Sequence, residues 1–176
     1  VMSGGTVNLY DDGTLNNLTA TGGALNVYAD NTLSGNINLA NAAVNFSAGG
    51  NQTVNVENLS ANNATFTMRV NLEDQTGDQL NIVSSYSGNA TIGLTNVAAS
   101  AQETTGDGIK LVDFDSSATV NGTFSLAGGR WDEGSYVYKL FQNEGDPDYY
   151  LRSTQELTDT FKTMLNMPVM NVVVAQ

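Results

Sequence analysis

Asp12 and Asp30 fall at equivalent positions of an internal repeat, and Asp11 stands beside the first of them. Carboxylates stacked one repeat apart are what a glycan-cleaving site needs, one acid protonating the leaving group while another attacks or activates water. The other common chemistries lack their side chains. The 176-residue chain has no histidine and no cysteine, which excludes an imidazole base, a thiol nucleophile, a Cys/His zinc site and a disulfide framework. A serine hydrolase fails for want of histidine, and no Gly-x-Ser-x-Gly elbow occurs. A polysaccharide lyase needs a cation near its acids, and the first in the chain is Arg69. Both acids also sit in turn dipeptides, Asp12-Gly13 and Asp30-Asn31, so turn geometry accounts for them more simply.

Hard-oxygen groups for calcium occur at Glu73-Asp74 with Asp78, at Asp113 and Asp115, and at Asp146 and Asp148. None follows an EF-hand loop or a Gly-Gly-x-Gly-x-Asp repeat, and solvated turns explain them. Tyr10 and Tyr28 are equivalent by the repeat; as a stacked pair they offer either a structural contact or a carbohydrate- or protein-binding face. Asn17-Leu18-Thr19 and Asn51-Gln52-Thr53 match a glycosylation sequon that carries little weight here.

Charge narrows the partners. The formal net charge is -12, and the six cations, Arg69, Lys110, Arg130, Lys139, Arg152 and Lys162, are scattered. Nucleic acid is excluded as a partner, because phosphate neutralisation needs clustered Lys and Arg; anionic membrane surfaces are disfavoured on the same ground. No 18-residue apolar run exists, and Met164 to Ala175 is too short and too polar to span a bilayer. Val1 is not an initiator methionine and no signal peptide opens the chain, so the sequence reads as a stretch of something longer. No cofactor is implied.

The elements that must position these residues follow from repetition. With 22 Asn, 19 Thr, 13 Ser and 18 Gly, the chain is rich in uncharged polar residues, yet 40% of it is apolar. The segment 6–15 aligns with 24–33, an offset of 18 residues, and the triplets Val7-Asn8-Leu9, Leu25-Asn26-Val27, Ile37-Asn38-Leu39, Val44-Asn45-Phe46, Val54-Asn55-Val56 and Phe66-Thr67-Met68 share one pattern. Each puts two apolar side chains on one face and a polar one on the other, which describes a short half-buried strand. Turns such as Thr21-Gly22-Gly23, Ser34-Gly35-Asn36 and Ala48-Gly49-Gly50-Asn51 separate them. Strands this short, with turns this frequent, predict an all-β parallel solenoid whose coils are about 20 residues and stack ~4.8 Å apart. Val7, Leu25 and Val44 then form one inward column, Leu9, Val27 and Phe46 another, and Asn8, Asn26 and Asn45 an outward ladder.

From about Ala64 the repeat loosens and aromatics accumulate. Gly128-Gly129 and Glu144–Asp148 read as hairpin turns, the first tight and the second longer, so this half is expected to add antiparallel hairpins to a continuing solenoid. Ser153-Thr154-Gln155-Glu156 reads as a capping box, with Leu157, Phe161, Met164 and Leu165 on one face of an amphipathic helix running to about Asn166.

The stretches Thr65–Asn71, Gly77–Ile82, Ser87-Gly88-Asn89, Lys110-Leu111-Val112, Phe124-Ser125-Leu126, Asp132–Leu140 and Asp148–Leu151, in this order and spacing, resemble the C-terminal passenger region of pertactin-like autotransporters of Gram-negative type V secretion. The chain departs from the family in carrying Tyr149 where Trp is usual. The resemblance implies a right-handed parallel β-helix over 1–63, an autochaperone or junction cap over 64–152, and over 153–176 a linker helix toward an outer-membrane barrel absent from this sequence. It implies a noncatalytic, surface-exposed segment that caps the helix and nucleates its folding during secretion, with the chain's own upstream passenger and own barrel as partners. A surface adhesin segment binding a host carbohydrate or protein is the alternative, and a β-helical polysaccharide-degrading enzyme a lesser one. Phe66, Met68, Leu80, Ile82, Phe124, Leu126, Trp131, Gly134, Tyr136, Tyr138, Leu140, Tyr150 and Leu151 are the residues expected to build that cap.

Overall fold

The structure, a computed structural model, describes residues 1–10, 13–47 and 49–165. Asp11, Asp12, the expected helix end at Asn166 and the apolar tail beyond it lie outside the described residues. The described chain forms β1 (Thr6–Leu9), β2 (Thr14–Thr21), β3 (Ala24–Val27), β4 (Asn31–Ala40), β5 (Ala43–Phe46), β6 (Thr53–Asn71), β7 (Thr76–Gly77), β8 (Gln79–Asn96), β9 (Ile109–Phe114), β10 (Thr119–Leu126), β11 (Trp131–Glu133), β12 (Tyr136–Phe141), β13 (Tyr149–Thr154) and α1 (Asp159–Leu165). Apart from α1 and a 3-10 turn at Ala127–Gly129, the described residues are all-β, as expected.

Alternation drives the packing. In β3 and β5 every second residue is buried, and each strand pairs in parallel with the strand one repeat away. Columns of side chains result: Leu9, Val27 and Phe46 align as expected, and three apolar columns run through five or more strands. Val7, Leu25, Val44, Phe66, Ile92 and Leu126 align in the first. Leu18, Ile37, Leu59, Tyr86 and Val120 form the second, and Leu15, Leu33, Val56, Ile82 and Phe114 the third. All members except Val7, Leu15 and Val120 are buried, each contributing roughly 1.5–3 kcal/mol of transfer free energy. Beside the first column Asn26 Nδ2 donates to Asn8 Oδ1 at 2.9 Å, and Asn45 Nδ2 to Asn26 Oδ1 at 2.9 Å, so the asparagine ladder forms in the expected register.

Several elements differ from expectation. The triplets Val54-Asn55-Val56 and Phe66-Thr67-Met68 belong to one strand, β6, of 19 residues, and β8 runs for 18. These strands bend without ending, because one-residue register shifts fall at Val56/Asn58 and Asn62/Ala64. Asn63 sits inside the second shift with φ 54°, and Asn17 and Asn41 adopt φ 56° and 51°, the left-handed conformation asparagine tolerates best among residues with a Cβ. Strand β6 passes through residues 63 and 64 unbroken.

Gly128-Gly129 joins no hairpin: β10 pairs with β8 and β11 with β12, so at φ 70° and 75° these glycines turn the chain out of the parallel stack rather than back along it. The tight hairpin lies at Gly134-Ser135, between Glu133 and its partner Tyr136, with Gly134 at φ 57°. The longer turn before Asp148 does join the antiparallel pair β12–β13, and β13 closes antiparallel on β9.

The capping box at Ser153 also fails. Ser153 and Thr154 end β13 paired with Tyr138 and Val137, and Ser153 exchanges hydrogen bonds with Thr104 through its Oγ and backbone N–H, both 2.9 Å. Those tertiary bonds occupy the groups a capping box would use. The helix begins later, where Thr158 Oγ1 accepts the Phe161 N–H at 3.3 Å, and Leu157, Phe161, Met164 and Leu165 are exposed.

Candidate functional site

The features that could do work cluster where the parallel columns meet the hairpins. Phe124 in β10 lies at the centre of an aromatic group. Its ring stacks on Tyr86 at 4.5 Å and 16°, and meets Phe66 at 5.9 Å and Tyr149 at 5.5 Å edge-on. These are offset and T-shaped arrangements, each worth about 0.5–1.5 kcal/mol beyond burial. The polar ends of the rings are satisfied: Tyr86 Oη donates to the Thr123 carbonyl at 2.9 Å, and Tyr149 Oη accepts the Phe124 N–H at 3.2 Å. Burial, then the neighbouring Tyr149, pushes the Tyr86 phenol well above its usual range.

A second aromatic group covers the hairpins. Trp131 packs on Tyr138 at 5.6 Å, Tyr136 lies 6.2 Å from Tyr138, and the Tyr138 hydroxyl donates to the Gln102 carbonyl. Burial above all, with Tyr136 adding to it, pushes Tyr138 up to about 12. Leu140 pairs with Leu151, and Phe141 with Tyr150.

Two ion-pair nodes lock loops to this end. Asp78 is fully buried; its Oδ2 accepts the Arg69 N–H at 2.6 Å and Nε at 3.1 Å, and its Oδ1 accepts Arg69 Nη2 and the Gln52 N–H, both at 2.9 Å. A bidentate guanidinium and two backbone donors leave this carboxylate well compensated. Lys110 Nζ donates to Asp113 at 2.5 Å and to Asp148 at 2.6 Å, while Asp148 Oδ1 accepts the Phe114 N–H at 2.8 Å. Burial opposes the charge on Lys110, but the bonds to both carboxylates outweigh it and raise its pKa.

The acidic groups considered for calcium, Glu73 apart, bond to cations or to turn donors. Asp115 accepts from Ser117, Asp74 from Asn71 and Asp146 from Tyr150, and the described residues contain no cluster of three potential metal-ligating acids. Of the carboxylates suited to glycan cleavage, Asp30 is exposed and accepts the Thr53 N–H at 2.7 Å. Tyr10 and Tyr28 do stack, at 4.8 Å and 15°, with Tyr10 60% exposed.

The expected cap residues divide into two places. Phe66, Ile82 and Leu126 lie in the three columns and Met68, Leu80 and Phe124 are buried beside them on β6, β8 and β10, whereas Trp131, Tyr136, Tyr138, Leu140, Tyr150 and Leu151 lie on the hairpin layer with Gly134 at its turn. Sequence reasoning missed Tyr86, whose signal was its register with Leu59, Ile37 and Leu18. It also missed the Arg69–Asp78 pair, whose signal was the chain's first cation followed across the β6–β7 turn by three acids, of which Asp78 is the one it meets.

The model of the Pertactin family matches residues 31–153. A "Probable autotransporter YfaL" of Escherichia coli (strain K12) is 35% identical over 133 residues, covering 72% of this chain and 10% of that protein. "Autotransporter CRAC" of Citrobacter rodentium (strain ICC168) is 32% identical over 114 residues, 64% of this chain and 7% of that protein. The chain thus spans about a tenth or less of the relatives it matches. No described helix is long and apolar enough to cross a membrane. With a family match that runs from the second repeat to the last strand, the chain belongs to the pertactin family, as part of the passenger region of a secreted, surface-exposed Gram-negative autotransporter.

Proposed function

We propose that the three columns wind as a right-handed parallel β-helix, and that residues 64–152 form the cap that closes its C-terminal end and nucleates its folding at the cell surface. The observation that carries this reading is the change along one column, from Val7, Leu25 and Val44 to Phe66, which leans on the Phe124–Tyr86 stack. A solenoid spends most of its conformational entropy on its first coil, and each later coil gains an interface. The unit richest in aromatic burial and buried ion pairs is therefore the one best suited to form first.

The function is noncatalytic: the acids serve as turn acceptors and ion-pair partners. The partners are the chain's own upstream passenger, continuing the columns beyond β1, and its own outer-membrane barrel, toward which residues 153–176 lead. Pulse-labelled hydrogen exchange during refolding of the full chain tests the order. Amides of β8–β13 are expected to gain protection before those of β1–β5; simultaneous or reversed protection overturns nucleation from the cap.

A further inference from the structure

Three of the chain's six cations, well apart in sequence, come level with one another on the hairpin layer. Lys139 pairs directly with Arg152 across β12–β13, and Arg130, extended just before β11, continues the Trp131–Tyr138 register to lie level with Lys139. Residues level across antiparallel strands share a face, and like charges so placed repel one another. The row therefore depends on anions. Asp132 on the same strand meets Arg130 Nη2 at 2.5 Å, and Arg152 is held by Asp107 and Asn143. The middle cation, Lys139, has one ion-pair partner among the described residues, Glu156.

Glu156 belongs to the segment that follows β13 and crosses back over the same face. It bridges Lys139 and Arg130, the latter at 3.8 Å; Asp159 Oδ1 accepts Arg130 Nη2 at 3.0 Å, and the Asp159 N–H donates to Asp132 Oδ2 at 3.0 Å. The crossing also accounts for a covered side chain. Val137, level with Asp132 on one side and Thr154 on the other, lies on the face opposite Tyr138 and takes no part in the central core, yet it is fully buried. Little else holds the segment. Of residues 155–165 Thr158 alone is buried, and the 7-residue α1 buries none of its side chains. A helix this short and without a buried face does not persist by itself.

We propose that residues 155–165 are a detachable electrostatic strap: Glu156 and Asp159 clip the segment to the cationic row, and while clipped they hold β11–β13 together by neutralising it. When the strap lifts, Arg130 and Lys139 lose these acceptors, their repulsion along the row is uncompensated, and the hairpin layer loosens. Coupling of this kind is reciprocal. A pull on the chain beyond Leu165 loosens the hairpins, and a closed hairpin layer favours the docked strap. This hold on the layer is separate from the order in which the layer folds.

Amide exchange and the heteronuclear NOE of the full chain test the strap at about 0.01 M and about 1 M sodium chloride, where charge is screened over about 30 Å and about 3 Å. The α1 NOE is expected to fall from folded values at low salt to coil-like values at high salt, while the values in β3–β5 hold. At low salt Glu156→Gln is expected to speed exchange of the β12–β13 amides about threefold. Added to Lys139→Gln, which already removes the like charge from the middle of the row, it is expected to leave them nearly unchanged. An α1 NOE indifferent to salt overturns the detachable strap. Equal acceleration by Glu156→Gln in both backgrounds, or none in the first, overturns its hold on the hairpins.

Discussion

The first five strands and the last five are held together by different kinds of contact. In β1–β5 like meets like: asparagine bonds to asparagine along a ladder, aliphatic side chains stack in column, and Tyr10 stacks on Tyr28. In β9–β13 unlike groups meet: Lys110 bridges two aspartates, Arg130 contacts Asp132, Glu156 and Asp159, and Phe124 gathers rings from four other strands. All ion pairs found among the described residues use Arg69 or a later cation. A repetitive stack gains stability from neighbours that are the same, so its contacts are local and interchangeable. The C-terminal layer gains it from contacts that occur once, and each single loss there matters more.

The sharpest way to break this contrast is Phe124→Ala, expected to destabilise the full chain by about 4 kcal/mol, against about 2 kcal/mol for Val44→Ala in the neighbouring column. Urea denaturation of both variants measures the gap, and equal losses would remove the distinction. Next, Asp78→Ala leaves a largely buried guanidinium unpaired and is expected to cost about 3 kcal/mol, whereas Asp30→Ala, at an exposed turn, is expected to cost about 1 kcal/mol. Asn26→Ala interrupts the asparagine ladder in its middle; about 1 kcal/mol is expected, read from the same denaturation midpoints. The smallest effect is at alkaline pH. Tyr138 is raised to about 12 in the folded chain, so its contribution is complete below the ordinary phenol value of 10.0 and is lost as pH rises from there through about 12. Tyr138→Phe is expected to flatten the alkaline fall in stability over that window, and an unchanged slope would assign the fall to other groups.

Much of this was legible because each repeat states its own register. A polar residue between two apolar ones fixes which face is buried, and Asn8, Asn26 and Asn45 sit at spacings of 18 and 19 residues, so their ladder follows directly. The long strands were not legible. A bend made by Asn63 in a left-handed conformation looks, in sequence, like the turn that ends a strand. Ser153 carries every mark of a helix cap and lacks only the information that Thr104 lies beside it. Asp78 reads as a solvated acid after a glycine, because its burial depends on Arg69 folding back over the turn between them. In the case of Ser153 a contact distant in sequence overrode a sound local preference.

The Arg69–Asp78 node has a consequence for copy number. Strands that pair through identical ladders are satisfied equally well by the neighbour one repeat further along, so the stack by itself tolerates slippage, duplication or loss of a whole unit. Arg69 also donates to the Gly50 carbonyl, and Asp78 accepts the Gln52 N–H, so these two residues pin one particular loop to one particular strand. They act as an index mark: lengths upstream can drift over evolutionary time, while everything downstream keeps its place.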